Sequence, residues 1–223
     1  MIVRDARAGE LPGIGELRVA AYRAGGLLSA NPGYAEVLRG LGISGTSEVL
    51  VAEDNGRIAG TVMLEPFHRF SEIARSSGEA EVRALAVAPH EQHRGAGRAL
   101  VAAVIERATV RGVHRLLLSA QPAMTAAQHL YRLAGFTRLP ELDWRPAPGL
   151  SLLVFGLVLP QEAASTDRQR PAPPPAANPN HLTRQACKTP RSAEPRLDRN
   201  QCDHRTYRRL YAAAAHGLTT LCD

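Results

Sequence analysis

The stretch Glu81-Val-Arg-Ala-Leu-Ala-Val-Ala-Pro-His-Glu-Gln-His-Arg-Gly-Ala-Gly-Arg-Ala-Leu100 constrains the fold more than any other part of the chain. Val82 to Ala88 reads as an apolar strand that stops at Pro89, because proline cannot donate to a ladder. Gly95 and Gly97 form a glycine loop, and Leu100, Val101, Val104, Ile105 and Ala108 then recur at helical spacing up to Gly112. A strand that feeds a helix through two glycines lets backbone approach a ligand closely. It also presents the free N–H groups of the helix start to an anion such as a phosphate. The spacing fits neither the Walker loop, which needs Gly-Lys-Ser/Thr, nor the three-glycine dinucleotide fingerprint.

Around this unit the chain alternates. Met1–Ala6 predicts a short strand, Leu11, Ile14, Leu17 and Ala21 a first helix, and Tyr34, Val37, Leu38 and Leu41 a second one beyond the Asn31-Pro32-Gly33 break. Val49–Ala52 and Ile58–Leu64 flank Asp54-Asn55-Gly56, the chemistry of a tight hairpin turn. A polar loop runs through Ser71–Gly78. Further on, His114–Ser119 is a buried strand, Thr125–Leu133 an amphipathic helix, Phe136–Leu139 a short strand, and Ser151–Leu159 the strand that closes the sheet. Hairpins at the start and strand–helix alternation in the middle predict an α/β fold with a mixed sheet. The expected organisation is one domain over 1–160, followed by a disordered proline- and arginine-rich tail over 161–223.

Charge separates the same two parts. The chain carries 27 basic and 21 acidic residues, and residues 160–223 hold ten Arg or Lys and six Asp or Glu, so four of the six excess charges lie in the tail. Scattered arginines without stacking aromatics argue against a nucleic-acid partner. Cys187, Cys202 and Cys222 all fall in the tail, so the core needs no disulfide framework. His90, His93, His114 and His129 lack metal-ligand spacing, as do the tail's cysteines and histidines, and no metal is expected. With no signal-like leader and no apolar run of about 18 residues, a cytoplasmic protein without a membrane partner is expected.

Gln92-His-Arg-Gly95-Ala-Gly97 resembles the acetyl-CoA loop of the GCN5-related N-acetyltransferases, the GNAT superfamily, with its Gln/Arg-x-x-Gly-x-Gly/Ala pattern. Leu85-Ala-Val-Ala-Pro89 looks like the family's fourth strand. Ala127-Gln-His-Leu-Tyr131-Arg-Leu-Ala-Gly135-Phe136 looks like its Ala-x-x-Leu-Tyr-x-x-x-Gly-Phe signature. The resemblance implies a mixed, mainly antiparallel sheet with a splayed central strand pair flanked by helices. It also implies acetyl-CoA as cosubstrate, its diphosphate on Gln92, His93, Arg94, Gly95, Ala96, Gly97 and Arg98 and its pantetheine arm on the backbone of Leu85, Ala86 and Val87.

The same resemblance gives Tyr131 the role of protonating the departing thiolate, and gives Glu81 that of deprotonating the amine, with Glu79 as competitor on the same strand face. The Val87 N–H is the oxyanion candidate. Gln121 and Met124 stand where relatives carry asparagines, a departure that bears on the pantetheine arm. The acceptor site is expected from Tyr22–Tyr34, Glu65–Phe70 and Pro140–Gly149, the last offering Asp143 and Trp144 to a cationic amine. The implied partners are a small-molecule or protein amine and a second copy in a homodimer. The alternative is a non-catalytic acyl-CoA sensor or interaction module.

Overall fold

A computed structural model of the chain describes residues 1–160, and the tail expected over 161–223 lies outside the described residues. The elements are β1 (Ile2–Asp5), α1 (Leu11–Ala24), α2 (Tyr34–Gly40), β2 (Glu48–Asp54), β3 (Arg57–Pro66), β4 (Glu79–Val87), α3 (Ala96–Val110), β5 (Arg115–Ala120), α4 (Thr125–Leu133), β6 (Thr137–Arg138), β7 (Trp144–Ala147) and β8 (Leu150–Val158). They build one sheet in the order β1-β2-β3-β4-β5-β8-β6, with β7 added to β8. Every pairing is antiparallel except β4 with β5. This is the GNAT-like mixed sheet flanked by helices that the resemblance implied. No helix among the described residues is long and apolar enough to cross a membrane.

Strand alternation divides the core between the two faces. Leu50, Ala52, Val62 and Leu64 pack with Leu100, Val101 and Val104 of α3, whereas Val49, Val51 and Met63 pack with Ile14 and Val19 of α1 and Leu38 of α2. Burying each such aliphatic side chain stabilises the fold by about 1.5–3 kcal/mol, so both helical layers are held by the period-two pattern of two strands.

Two elements differ from the sequence reading. β4 begins at Glu79 rather than Val82, extended by pairing of Glu79–Val82 with Arg115–Leu118 of β5. β7 lies within Pro140–Gly149, expected as a connection at the acceptor site rather than as a strand, and its pairs Trp144↔Leu152 and Ala147↔Leu150 bracket Pro146 at a register shift.

The feature that opens the molecule is local to β4. Between the pairs Met63↔Arg83 and Thr61↔Ala86, β4 carries one residue more than β3, and Ala84 takes φ +51°, a conformation unfavourable for a residue with a Cβ. Parallel pairing with β5 ends at Val82↔Leu118, just before this bulge. From Arg83 onward β4 and β5 run without a mutual register, and a cleft lies between them.

Candidate active site

The cleft is lined by Ala84 and Leu85 of β4, Ser119 and Gln121 at the end of β5, and Met124 and Tyr131 around α4. Its other wall comes from Tyr22, Leu27, Asn31 and Tyr34 on α1, α2 and their connection, and from Glu72 and Ile73 between β3 and β4. Of the stretch Tyr22–Tyr34, expected at the acceptor site, Tyr22, Leu27, Asn31 and Tyr34 line the cleft. Glu65–Phe70 gives way to Glu72 and Ile73, and Pro140–Gly149 to Leu150 and Leu152.

The glycine loop continues β4 at the open end. His93 and Gly95 both adopt positive φ, +64° and +91°, and turn the chain into the first turn of α3. The Gly95 carbonyl accepts the Ala99 N–H at 3.0 Å, so the N–H groups of Ala96, Gly97 and Arg98 precede the first intrahelical bond. Gly97 leaves little room above the helix start: a Cβ there would lie 3.3 Å from Leu130 Cδ2, so that side chain would have to give by a few tenths of an ångström, and 3.7 Å from Val87 Cγ2. Arg94 ties the loop to its surroundings by donating to Glu91 at 2.6 Å and to Asp54 of the hairpin at 3.3 Å. Gln92, His93 and Arg98 are exposed. The unpaired edge of β4 and this ring of N–H groups suit an extended arm that ends in a diphosphate.

Tyr131 is 3 % exposed, with its ring 6.0 Å from Phe136 and 6.2 Å from Phe155. Its hydroxyl has no hydrogen-bond partner among the described residues. Burial, and secondarily Tyr22, push that hydroxyl above its ordinary pKa, so it stays a proton donor at neutral pH. Gln121 donates from Nε2 to the Leu27 carbonyl at 3.0 Å, joining the end of β5 to the α1–α2 connection. Gln128 donates to the Gln121 and Pro122 carbonyls at 3.1 and 3.0 Å, which fixes the β5–α4 turn.

The carboxylates are partly engaged in building the wall. Glu81 is 1 % exposed, and its Oε1 accepts the backbone N–H groups of Ile73 at 2.7 Å and Ala74 at 2.8 Å. Glu79 accepts the Arg75 N–H at 2.6 Å and Arg115 Nη1 at 3.3 Å, and is not part of the cleft lining. The expected shared face therefore exists, but only Glu81 reaches the cleft. Asp143 is occupied elsewhere: it accepts Arg138 at 2.7 Å and the Val154 N–H at 2.9 Å, and Arg138 holds its carboxyl below the usual range. Trp144 donates from Nε1 to the Ser119 hydroxyl at 3.1 Å, an anchor for β7 rather than an open aromatic face.

Sequence reasoning passed over two groups here. Glu72 accepts Arg83 Nη2 at 2.6 Å, and Arg83 Nη1 also donates to Glu65 at 2.6 Å. Asn31 is 2 % exposed, yet neither its Oδ1 nor its Nδ2 finds a partner among the described residues. The only signals were a glutamate two residues past an acceptor segment and an asparagine inside a turn motif.

Residues 28–136 match the model of the acetyltransferase (GNAT) family. No curated protein shows significant sequence similarity to the chain. Among solved structures, a ribosomal-protein-alanine N-acetyltransferase from Brucella melitensis is 25 % identical, with a TM-score of 0.53, over 71 % of this chain and all of that one. An acetyltransferase from Salmonella typhimurium, solved with its cofactor acetyl-CoA, is 23 % identical over 74 % of this chain and 96 % of that one, with a TM-score of 0.54. A GNAT acetyltransferase from Staphylococcus aureus reaches a TM-score of 0.57 at 14 % identity, over 71 % and 99 % of the two chains, and so speaks for the fold alone. The matched segment contains the bulge, the glycine loop and Tyr131, and the described residues carry the family's sheet: residues 28–136 form a GNAT acetyltransferase domain.

Proposed function

We propose that the protein is an acetyl-CoA-dependent N-acetyltransferase acting on an amine. The observation that carries this reading is the divergence of β4 and β5 beside the free N–H groups that open α3. One site thereby offers an unpaired strand edge, an anion-binding helix start and a buried hydroxyl. When bound, acetyl-CoA supplies an activated acetyl thioester.

The chain's own residues have the remaining work. Ala96, Gly97 and Arg98 hold the diphosphate through backbone N–H groups, with Gln92, His93, Arg94 and Gly95 shaping the loop. Leu85, Ala86 and Val87 would hold the pantetheine arm along the unpaired edge of β4, with the Val87 N–H as donor to the thioester oxygen and Gln121 on the opposite side. Tyr131 delivers a proton to the leaving sulfur, and the amine's proton leaves to a carboxylate at the cleft wall, where Glu81 lies. The ribosomal-protein-alanine N-acetyltransferase likeness supports an amine acceptor, whether protein or small molecule.

The test combines a melt with turnover. Acetyl-CoA should raise the melting temperature where adenosine does not, and a panel of primary amines should release free coenzyme A thiol. A shift without turnover would favour a non-catalytic acyl-CoA sensor, and no shift would remove the reading altogether.

A further inference from the structure

Glu65 and Glu72 bracket the guanidinium of Arg83 at the inner wall of the cleft, Glu81 lies close enough to Glu72 to repel its charge, and the three carboxylates are not equivalent. Glu65 is engaged twice, by Arg83 at 2.6 Å and His68 at 3.1 Å, and these hold it below the usual range despite its burial. Glu81 spends Oε1 on the N–H groups of Ile73 and Ala74. Among the described residues the Glu72 carboxylate accepts from Arg83 alone, on Oε1, and its side chain lines the cleft at 16 % exposure. It precedes Ile73 directly, so the clamp by Glu81 fixes the segment that carries it.

An independent observation marks the same end of the cleft as ligand-bearing. The buried Asn31 amide lines it with both polar atoms unpartnered among the described residues, a costly arrangement unless a ligand supplies the missing bonds. We infer that Glu72 accepts the proton of the acceptor amine and that Glu81 is a positioning residue that holds Glu72 at the cleft; this rests on the acetyl-transfer reading above. In the step, one N–H bond of the ammonium breaks and its proton passes to a Glu72 carboxylate oxygen. The nitrogen keeps the electron pair, which is then free to attack a thioester carbonyl, and the neutral carboxylic acid returns its proton to water at the open mouth.

The surroundings suit that task. Arg83 and Glu81 of β4, Glu65 of β3 and Tyr22 of α1 face Glu72, and Arg75 reaches its backbone carbonyl at 3.3 Å. Burial pushes its carboxyl up, Arg83 pulls it down, and Glu81 and Glu65 push it up again, leaving it at about 7. A carboxylate with that value is half deprotonated near neutrality yet basic enough to take a proton.

The experiment has two arms on the full chain. In the first, an amine from the panel that turns over is assayed from pH 5 to 9. kcat/KM of the wild type should rise through an inflection near 7, whereas Glu72→Gln should lose that limb and fall by about 10²–10⁴-fold at pH 7, with its acetyl-CoA melting shift intact. Glu81→Gln should keep the inflection but displace it, because the segment that presents Glu72 is loosened. Wild-type activity in Glu72→Gln overturns the inference while leaving the acetyltransferase reading in place, and loss of the acetyl-CoA shift in the wild type defeats both.

The second arm needs neither turnover nor a folded variant: carboxyl carbon resonances of glutamate-labelled wild-type protein are titrated by NMR. One glutamate should have a midpoint between 6 and 8. If all glutamates titrate below 6, the assignment is wrong.

Discussion

The two ends of the cleft are built on opposite principles. The end beside α3 is made of backbone: the unpaired edge of β4, the turn through His93 and Gly95, and the N–H groups of Ala96, Gly97 and Arg98. All of it comes from one contiguous stretch of chain. The end beside α1 and α2 is made of side chains, Asn31, Glu72 and Tyr22, drawn from segments that meet only in the folded sheet, and it leaves a buried amide unpaired. A backbone site holds whatever presents a diphosphate and tolerates changes that keep its conformation. A side-chain site discriminates, and it does so at a cost to stability.

The largest effect should come from attacking the backbone end. Replacement of Gly97 by Trp forces a bulky side chain against Leu130 and Val87 and across the start of α3. At acetyl-CoA about 100-fold above Kd, the wild type should gain roughly 2.7 kcal/mol, a melting shift of roughly 5–10 °C for a domain of this size. Gly97→Trp should show none. A normal shift in that variant would mean that the diphosphate lies elsewhere, and the contrast between the two ends would lose its backbone half.

The next effect lies where the two ends meet. Tyr131→Phe keeps the ring against Phe136 and Phe155 and deletes only the hydroxyl that has no partner among the described residues. Turnover should fall by about 10²–10⁴-fold, as for a lost general acid, with acetyl-CoA affinity unchanged. Full activity in the Phe variant would reduce Tyr131 to packing, and an Ala variant should then differ from it mainly by a cavity cost of about 3–5 kcal/mol.

The same contrast explains what was legible in the sequence. Glycines before a helix and the segment from Ala127 to Phe136 are local patterns, and local patterns survive without a structure. The bulge does not: Ala84 has no compositional mark of a positive φ, and only the register between β3 and β4 exposes it. Glu81 was visible as a strand-end carboxylate, but its grip on Ile73 and Ala74 depends on a loop whose path no periodicity sets. Glu72 was lost inside that loop. Asp143 looked available because its neighbour in sequence is Trp144, whereas β6 brings Arg138 to it and β8 brings the Val154 N–H.

The smallest effect probes the side-chain end and concerns stability as much as rate. Asn31 sits in an Asn-Pro-Gly turn, where such a side chain ordinarily satisfies nearby backbone; here the turn is held by main-chain bonds, Asn31 N–H to the Leu28 carbonyl at 3.2 Å and Tyr34 N–H to the Asn31 carbonyl at 3.1 Å. The amide is therefore not needed for the turn, and its burial without partners costs about 1–3 kcal/mol. Asn31→Leu has nearly the same shape and removes that cost, so the free protein should melt higher, by an amount corresponding to about 1 kcal/mol once imperfect packing of the branched side chain is allowed for. If the amide exists to bind acceptor, KM for the amine should rise at least several-fold while kcat and the acetyl-CoA shift hold, since the interaction lost is one made equally in ground and transition states. A lower melting temperature with an unchanged KM would make Asn31 an ordinary structural residue and would remove the stability cost from the comparison between the two ends.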